Sequence, residues 1–239
     1  MRAFYPLCTK GCVKQSMKPG HLDGWGASGF QDTRAVYFER RMDPADEGAS
    51  EYKQATVRAQ KSKTPILVAH FRKASGSVPA ISNTHPFHFR DWIFAHNGTI
   101  YGAIASLPLN ETQPQGDTDS ERFFLWIWEQ IHAAIDPTAA LTALLKKSRG
   151  QLVFSSLNFL MSDGKTMWAY RDFGDKRLEK GETLEERENY YTLHQAQVGK
   201  SVVVCSEPLT DLSQNWTAIP QRTLAVFSSD PVETPLITI

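Results

Sequence analysis

Sulfur, charge of one sign and long apolar runs are all scarce in this sequence, and each scarcity excludes something. The 239 residues contain three cysteines, Cys8, Cys12 and Cys205. An odd number builds no closed disulfide framework, and Cys8 with Cys12 offers too few soft ligands for zinc. The expectation is a reduced, cytoplasmic protein whose thiols are buried or incidental. Lys plus Arg and Asp plus Glu both number 26, so net charge gives no pull toward nucleic acid or a membrane surface. No apolar run approaches the ~18 residues that span a bilayer. The opening "MRAFYPLCTKGC" lacks the apolar segment of a secretory signal. "GSVPAISNTHP" is too poor in glycine to cradle phosphates. With no internal repeat and no linker, residues 1–239 read as one domain large enough to bury a substantial core.

What is present alternates between two periodicities. "TRAVYFERR" (33–41) has the two-residue alternation of a half-exposed strand, and "TPILVAHFRKA" the dense apolar run of a buried one. "WIFAHNGTI" (92–100) predicts a strand pair turning at Asn97-Gly98, because both residues tolerate positive φ. Phe124, Ile127, Trp128, Ile131 and Ile135 recur at helical spacing. Asp136-Pro137 ends that helix and starts another, which stops at Gly150. Beyond it, "QLVFSSLNFLMS", an Asp163-Gly164 turn and "KTMWAYRDF" predict a hairpin, with three more strands after it. "KRLEKGETLEERENY" (176–190) reads as an exposed, solvated loop. Strands, two helices and strands again predict a layered α+β domain.

Singly, the chemical candidates have plain explanations. His85 and His88, with His70 and His96, share no helix face, and Pro86 separates the first two, so ordinary hydrogen-bonded histidines outweigh a metal site. Asp117, Asp119 and Glu121 sit at a helix start, where capping and the macrodipole already account for them.

Together they say more. "HLDGWGASGF" (21–30), "AHFRKASGSVPAISNTHPF" (69–87), "WIFAHNGTI" (92–100), "GDTDSERF" (116–123) and "VVVCSEPLT" (202–210) occur in this order. The set resembles the class II glutamine amidotransferases, nearest to the small branch in which a glutaminase domain is the whole protein. The resemblance implies the N-terminal-nucleophile hydrolase fold, a four-layer αββα sandwich of two antiparallel sheets. It also implies hydrolysis of the glutamine side-chain amide through a cysteinyl thioester, with no metal or other cofactor. Arg72 matches the clamp on the α-carboxylate, a task for a planar bidentate donor. Asp117 matches the holder of the α-ammonium. Asn97, through its side-chain amide, and Gly98, through its N–H, match the oxyanion hole. His85 and the stretch with Asp23, Gly24 and Trp25 match pocket-forming positions. A γ-glutamyl peptide or conjugate has the same amino-acid head, so Arg72 and Asp117 suit it equally.

One element of the pattern is not in its place. The family's thiol follows the initiator methionine, whose removal frees an α-amine of pKa ~8 to act as base. Here position 2 is Arg, whose size blocks that removal. Three readings follow. An upstream Met-Cys strand belongs before residue 1, so the domain as written lacks its nucleophile strand. Alternatively the domain binds glutamine without turnover and regulates, or cleavage exposes Cys8 or Cys12 as substitute. The expected partner is a small molecule, with no nucleic acid and no membrane. A homo-oligomer, or a separate protein that accepts the ammonia, remains open.

Overall fold

The computed structural model describes residues 1–12, 19–74, 77–175, 178, 181–228 and 235–239. After the short helix α1 (Leu7–Lys10) come strands β1 (Trp25–Gln31) and β2 (Arg34–Arg41), helix α2 (Ala49–Ser62) and β3 (Leu67–Phe71). Strands β4 (Phe87–Phe89), β5 (Trp92–Asn97) and β6 (Ile100–Tyr101) precede helices α3 (Ala103–Ser106), α4 (Asp119–Ile131) and α5 (Pro137–Arg149). Then follow β7 (Val153–Phe154), β8 (Asn158–Ser162), β9 (Thr166–Arg171) and α6 (Leu184–Tyr190). The chain ends through β10 (His194–Val198), β11 (Ser201–Cys205), β12 (Thr217–Ala218), β13 (Thr223–Ser228) and β14 (Leu236–Thr238).

These elements stack in four layers. A six-stranded sheet, ordered β14-β13-β9-β8-β5-β4, forms one inner layer. Its register places Ala95, Leu160, Ala169 and Ala225 side by side on one face. On the other face Phe94, Phe159, Trp168, Tyr170 and Leu224 meet the apolar sides of α4 and α5. Two three-stranded sheets, β2-β1-β3 and β11-β10-β12, form the second inner layer. Phe30 and Val68 of the first sheet pack on Ile93, Ala95 and Leu160, while Val204 of the second packs with Leu160 and Ala169. Both small sheets therefore lie on the same face of the large one and meet over Leu160. The outer face of β1 and β3 is covered by α2 and the N-terminal segment, with Phe4 stacked 4.4 Å from Phe71. The αββα order is the expected one, but the second inner layer is split. The outer edges of β3 and β11 pair with no neighbour among the described residues.

Three local expectations fail for identifiable reasons. Asn97-Gly98 closes no hairpin: β5 pairs with β8 and β4, whereas β6 pairs with β7. The backbone stays extended at Gly98 because the Ser156 carbonyl lies against it, and a Cβ there would come within 2.0 Å of that oxygen. Ile135 lies beyond α4 and is 107% exposed. Pro137 holds Asp136 extended, and the Asp136 side chain accepts the Ala139 N–H at 3.0 Å, so the helical spacing breaks before Ile135 can turn inward. Within 176–190, Lys176, Arg177, Glu179 and Lys180 lie outside the described residues. The remainder is mostly exposed as expected, but it forms a helix rather than a loop. Thr183 and Glu186 form a reciprocal capping box that starts α6, and Arg187 is wholly buried.

Candidate active site

Alternation along the strands aims the polar residues. On β3, Val68 faces the large sheet, so His70 and Arg72 face the same way, while Phe71 faces α2. On β5, Ile93 and Ala95 face Val68, and Asn97 follows them on that face. Moving along the inter-sheet layer, apolar packing thus gives way to His70, Arg72 and Asn97. Gly26 keeps this layer tight, since a Cβ there would lie 2.3 Å from the His85 carbonyl. The His85 ring packs 4.4 Å from His70 and 4.4 Å from Phe87. Both His85 ring nitrogens and His70 Nδ1 are buried without a partner among the described residues. Burial, reinforced by neighbouring cations, holds His70 neutral, with a pKa pushed down to about 3, and drives His85 well below the usual imidazole range.

Arg72 is 4% exposed. Its Nη2 donates to Ser77 Oγ at 2.6 Å and its Nη1 to the Asp23 carbonyl at 3.2 Å. The Arg72 and Asp23 backbones bond to each other, and the Asp23 carboxylate is taken up by the Ala74 N–H at 2.8 Å. Burial lowers the guanidinium pKa, opposed by the charges of Asp23 and Asp117, so Asp117 lies within electrostatic reach. No carboxylate among the described residues makes an ion pair with Arg72. Asp117 is exposed, and Asn83 donates to its Oδ1 at 2.6 Å.

At the end of β5, the Asn97 side-chain amide and the Gly98 N–H have no acceptor among the described residues. The segment behind them is rigidly held. His96 bridges Ser120 Oγ at 2.9 Å and the Ser156 carbonyl at 3.1 Å, and Thr99 N–H donates to Ser155 Oγ at 2.9 Å. Asp119 accepts the Ile100 N–H at 2.6 Å, and Glu121 accepts the Gln115 and Gly116 N–H groups. These acids tie the helix start to β6 and to the preceding loop, whereas the N-cap itself is Thr118.

The structure therefore gathers Arg72, His85, Asp23 and Asp117 at one end of the inter-sheet layer, with Asn97 and Gly98 on the facing sheet. Gly24 is the left-handed link between Asp23 and β1, where a Cβ would meet the Arg41 carbonyl at 2.6 Å. Trp25 faces the other way, packed 5.0 Å from Tyr52 under α2. Cys8 lies in that same outer cluster, its thiol 3.6 Å from Asp46 Oδ1 and its pKa raised by burial. Cys205 turns away from the face of Val204, donates to the Glu207 carbonyl at 2.9 Å and is pushed up to about 12 by burial. Cys12 is exposed, with its N–H on Glu207. No group of three or more His, Cys, Asp or Glu among the described residues is placed to hold a metal ion. Ser77, Asn83, Ser120 and Ser156 support the site unannounced, because their sequence signal is that of ordinary loop and helix-start residues.

Known proteins share the family and the fold of this chain. Residues 9–235 match the family model for class II glutamine amidotransferases. An uncharacterized protein of Methanocaldococcus jannaschii is 30% identical over 230 residues, covering 87% of this chain and 62% of that protein. Escherichia coli K12 YafJ, itself named only as a candidate glutamine amidotransferase, is 32% identical over 162 residues, covering 63% of this chain and 60% of its own length. The chain thus spans about three-fifths of these curated relatives. The solved structure of a glutamine aminotransferase class-II domain protein from Silicibacter pomeroyi superposes with a TM-score of 0.59 at 20% identity, covering 90% of this chain and 91% of that one. That likeness gives the four layers their name, the N-terminal-nucleophile hydrolase fold, and the matched family model places the chain itself among the class II glutamine amidotransferases.

Proposed function

We propose that the site binds the amino-acid head of glutamine and that the complete site hydrolyses its side-chain amide. One observation carries this reading: Arg72 is a buried cation whose described partners are a hydroxyl and a carbonyl, with no carboxylate paired to it. Burying a charge without a counter-ion is costly, and a ligand carboxylate relieves that cost. Asp117, near enough to shift Arg72, takes the α-ammonium. The amide carbonyl then lies toward Asn97 and Gly98, whose donors stabilise the oxyanion.

The thiol comes from an extended N-terminal Met-Cys segment seated between the open edges of β3 and β11. β3 leads into Arg72 and β11 toward Glu207, and the charges of Lys73 and Glu207 both reach His21. A strand between them, antiparallel to both, starts at the site. Once its methionine is removed, the thiolate attacks the side-chain carbonyl carbon, the C–N bond breaks as ammonia leaves with a proton, and water cleaves the thioester to glutamate. A second reading is favoured by the outward placement of Cys8 and Cys205: residues 1–239 alone bind glutamine without turnover. Calorimetry with glutamine, paired with an ammonia-release assay and intact mass, separates the two. Binding without release even after a Met-Cys strand is added ahead of Met1 supports the binder, whereas release that appears only with that strand supports hydrolysis. Ammonia released by protein that retains Met1 sinks the N-terminal-cysteine chemistry, and absence of binding sinks both readings.

A further inference from the structure

Asp117 is exposed, yet its carboxylate is not free to swing. Beneath it lies Asn83, 1% exposed, the last residue of a 3-10 turn, Ile81–Asn83. Asn83 Nδ2 donates to Asp117 Oδ1 at 2.6 Å and to the Val78 carbonyl at 2.9 Å. Asn83 Oδ1 accepts the Asp117 N–H at 3.0 Å. One buried amide therefore grips both the backbone and the carboxylate of Asp117. Gly116 makes this fit possible, since a Cβ there would stand 2.1 Å from Asn83 Oδ1. The other carboxylate oxygen, Oδ2, receives no donor among the described residues.

The same loop reaches the cation. Ser77 holds the Arg72 guanidinium at 2.6 Å, so residues 77–83 touch the positive group at one end and the negative group at the other. An α-amino acid carries its carboxylate and ammonium on one carbon, at a fixed spacing. A site that reads both needs a matching fixed spacing, and a carboxylate frozen in advance loses less rotamer freedom on binding.

We propose that Asn83 is a positioning residue that makes the site selective for the α-ammonium group. It occupies Asp117 Oδ1 and leaves Oδ2 for the ligand, at a separation from Arg72 set by the 77–83 loop. This rests on the glutamine reading above and deepens it: the substrate class is the free α-amino acid, and analogues lacking the amine are discriminated against through Asn83.

Calorimetry on the full chain tests this with two probes, glutamine and 4-carbamoylbutanoate, which is glutamine without its α-amino group. The unaltered chain is expected to prefer glutamine. Asn83→Asp should weaken glutamine at least about tenfold while moving the des-amino probe less than about twofold. Asn83→Ser gives the same reading should the aspartate variant fail to fold. Equal weakening of both probes, or unchanged glutamine affinity, overturns the proposal while the glutamine reading stands. So does equal affinity of the unaltered chain for the two probes. An unaltered chain that binds neither probe removes the glutamine reading and this proposal with it.

Discussion

Gly98 carries a hydrogen where any other residue would drive a carbon to within 2.0 Å of the Ser156 carbonyl. That carbonyl is held by His96, so it has little freedom to retreat. Gly98→Ala should therefore cost about 1–3 kcal/mol, the range for overpacking a tight site, and denaturant unfolding measures it. An unchanged midpoint would mean that the two loops are not locked together. Next to Arg72, Lys73 is a useful control, being only half-buried. Arg72→Ala should abolish calorimetric glutamine binding, whereas Lys73→Ala should retain it; equal losses would misplace the carboxylate clamp. At this scale the ordered sequence blocks point to residues whose roles are those proposed above. Arg72, Asp117, Asn97 and Gly98 stand in ordered blocks that few other demands would produce. Asn83 and Ser77 stayed hidden, because a polar residue bracing a neighbour and one closing a turn look alike in a sequence.

Among the elements, α6 shows how a charge-rich stretch misleads. Its acids and bases suggest solvent, yet Arg187 donates to the Gly174 carbonyl at 2.7 Å and pairs with Glu182 in the interior. Losing a charge-assisted contact in the interior is costly, so Glu182→Ala should destabilise by about 3–5 kcal/mol. A loss like that of an exposed pair, under about 1 kcal/mol, would contradict the burial. Helix α4 supplies a second device. Glu129 accepts the N–H groups of Asn110, Glu111 and Thr112 and the Thr112 hydroxyl, clamping that loop to the helix. Burial pushes its pKa up, but those donors outweigh it and bring it down to about 2, against 4.5 for a free glutamate. The folded-state value is depressed, so the stabilisation is fully present above pH 4.5 and disappears as pH falls through about 2. Glu129→Gln should accordingly lower Tm at neutral pH, with the gap to the unaltered chain closing below pH 4.5; a constant gap would mean that the clamp is not ionic. Helix and strand identities were legible from period and caps, whereas strand partners were legible at the Asp163-Gly164 hairpin of β8 and β9 but not at Asn97-Gly98. Asn97-Gly98 satisfies every local rule for a hairpin, and only the distant Ser156 loop decides otherwise.

For the whole molecule, the decisive feature is the split inner layer. Six paired strands face two separate sets of three, and the apolar edges of β3 and β11 are left open among the described residues, with Leu67 and Val202 each 38% exposed. Open apolar edges invite pairing with another chain, and proteins usually cover or charge them. Here they flank Leu160, which both small sheets already contact, and they run toward the proposed reaction centre. A strand entering that interval gains two hydrogen-bonded edges and one buried face, and its first residue emerges beside Arg72. Amide hydrogen exchange reads this directly. In residues 1–239 alone, the outward amides of β3 and β11 should exchange much faster than those of the central β8 and β9. Adding a Met-Cys segment with an apolar strand ahead of Met1 should slow the β3 and β11 amides together, and glutamine-dependent ammonia release should appear with that protection. Protection at only one edge would place the segment elsewhere than between the sheets. Ammonia release without protection at either edge would separate the chemistry from the slot altogether, and the thiol would then have to reach Asn97 and Gly98 by another route.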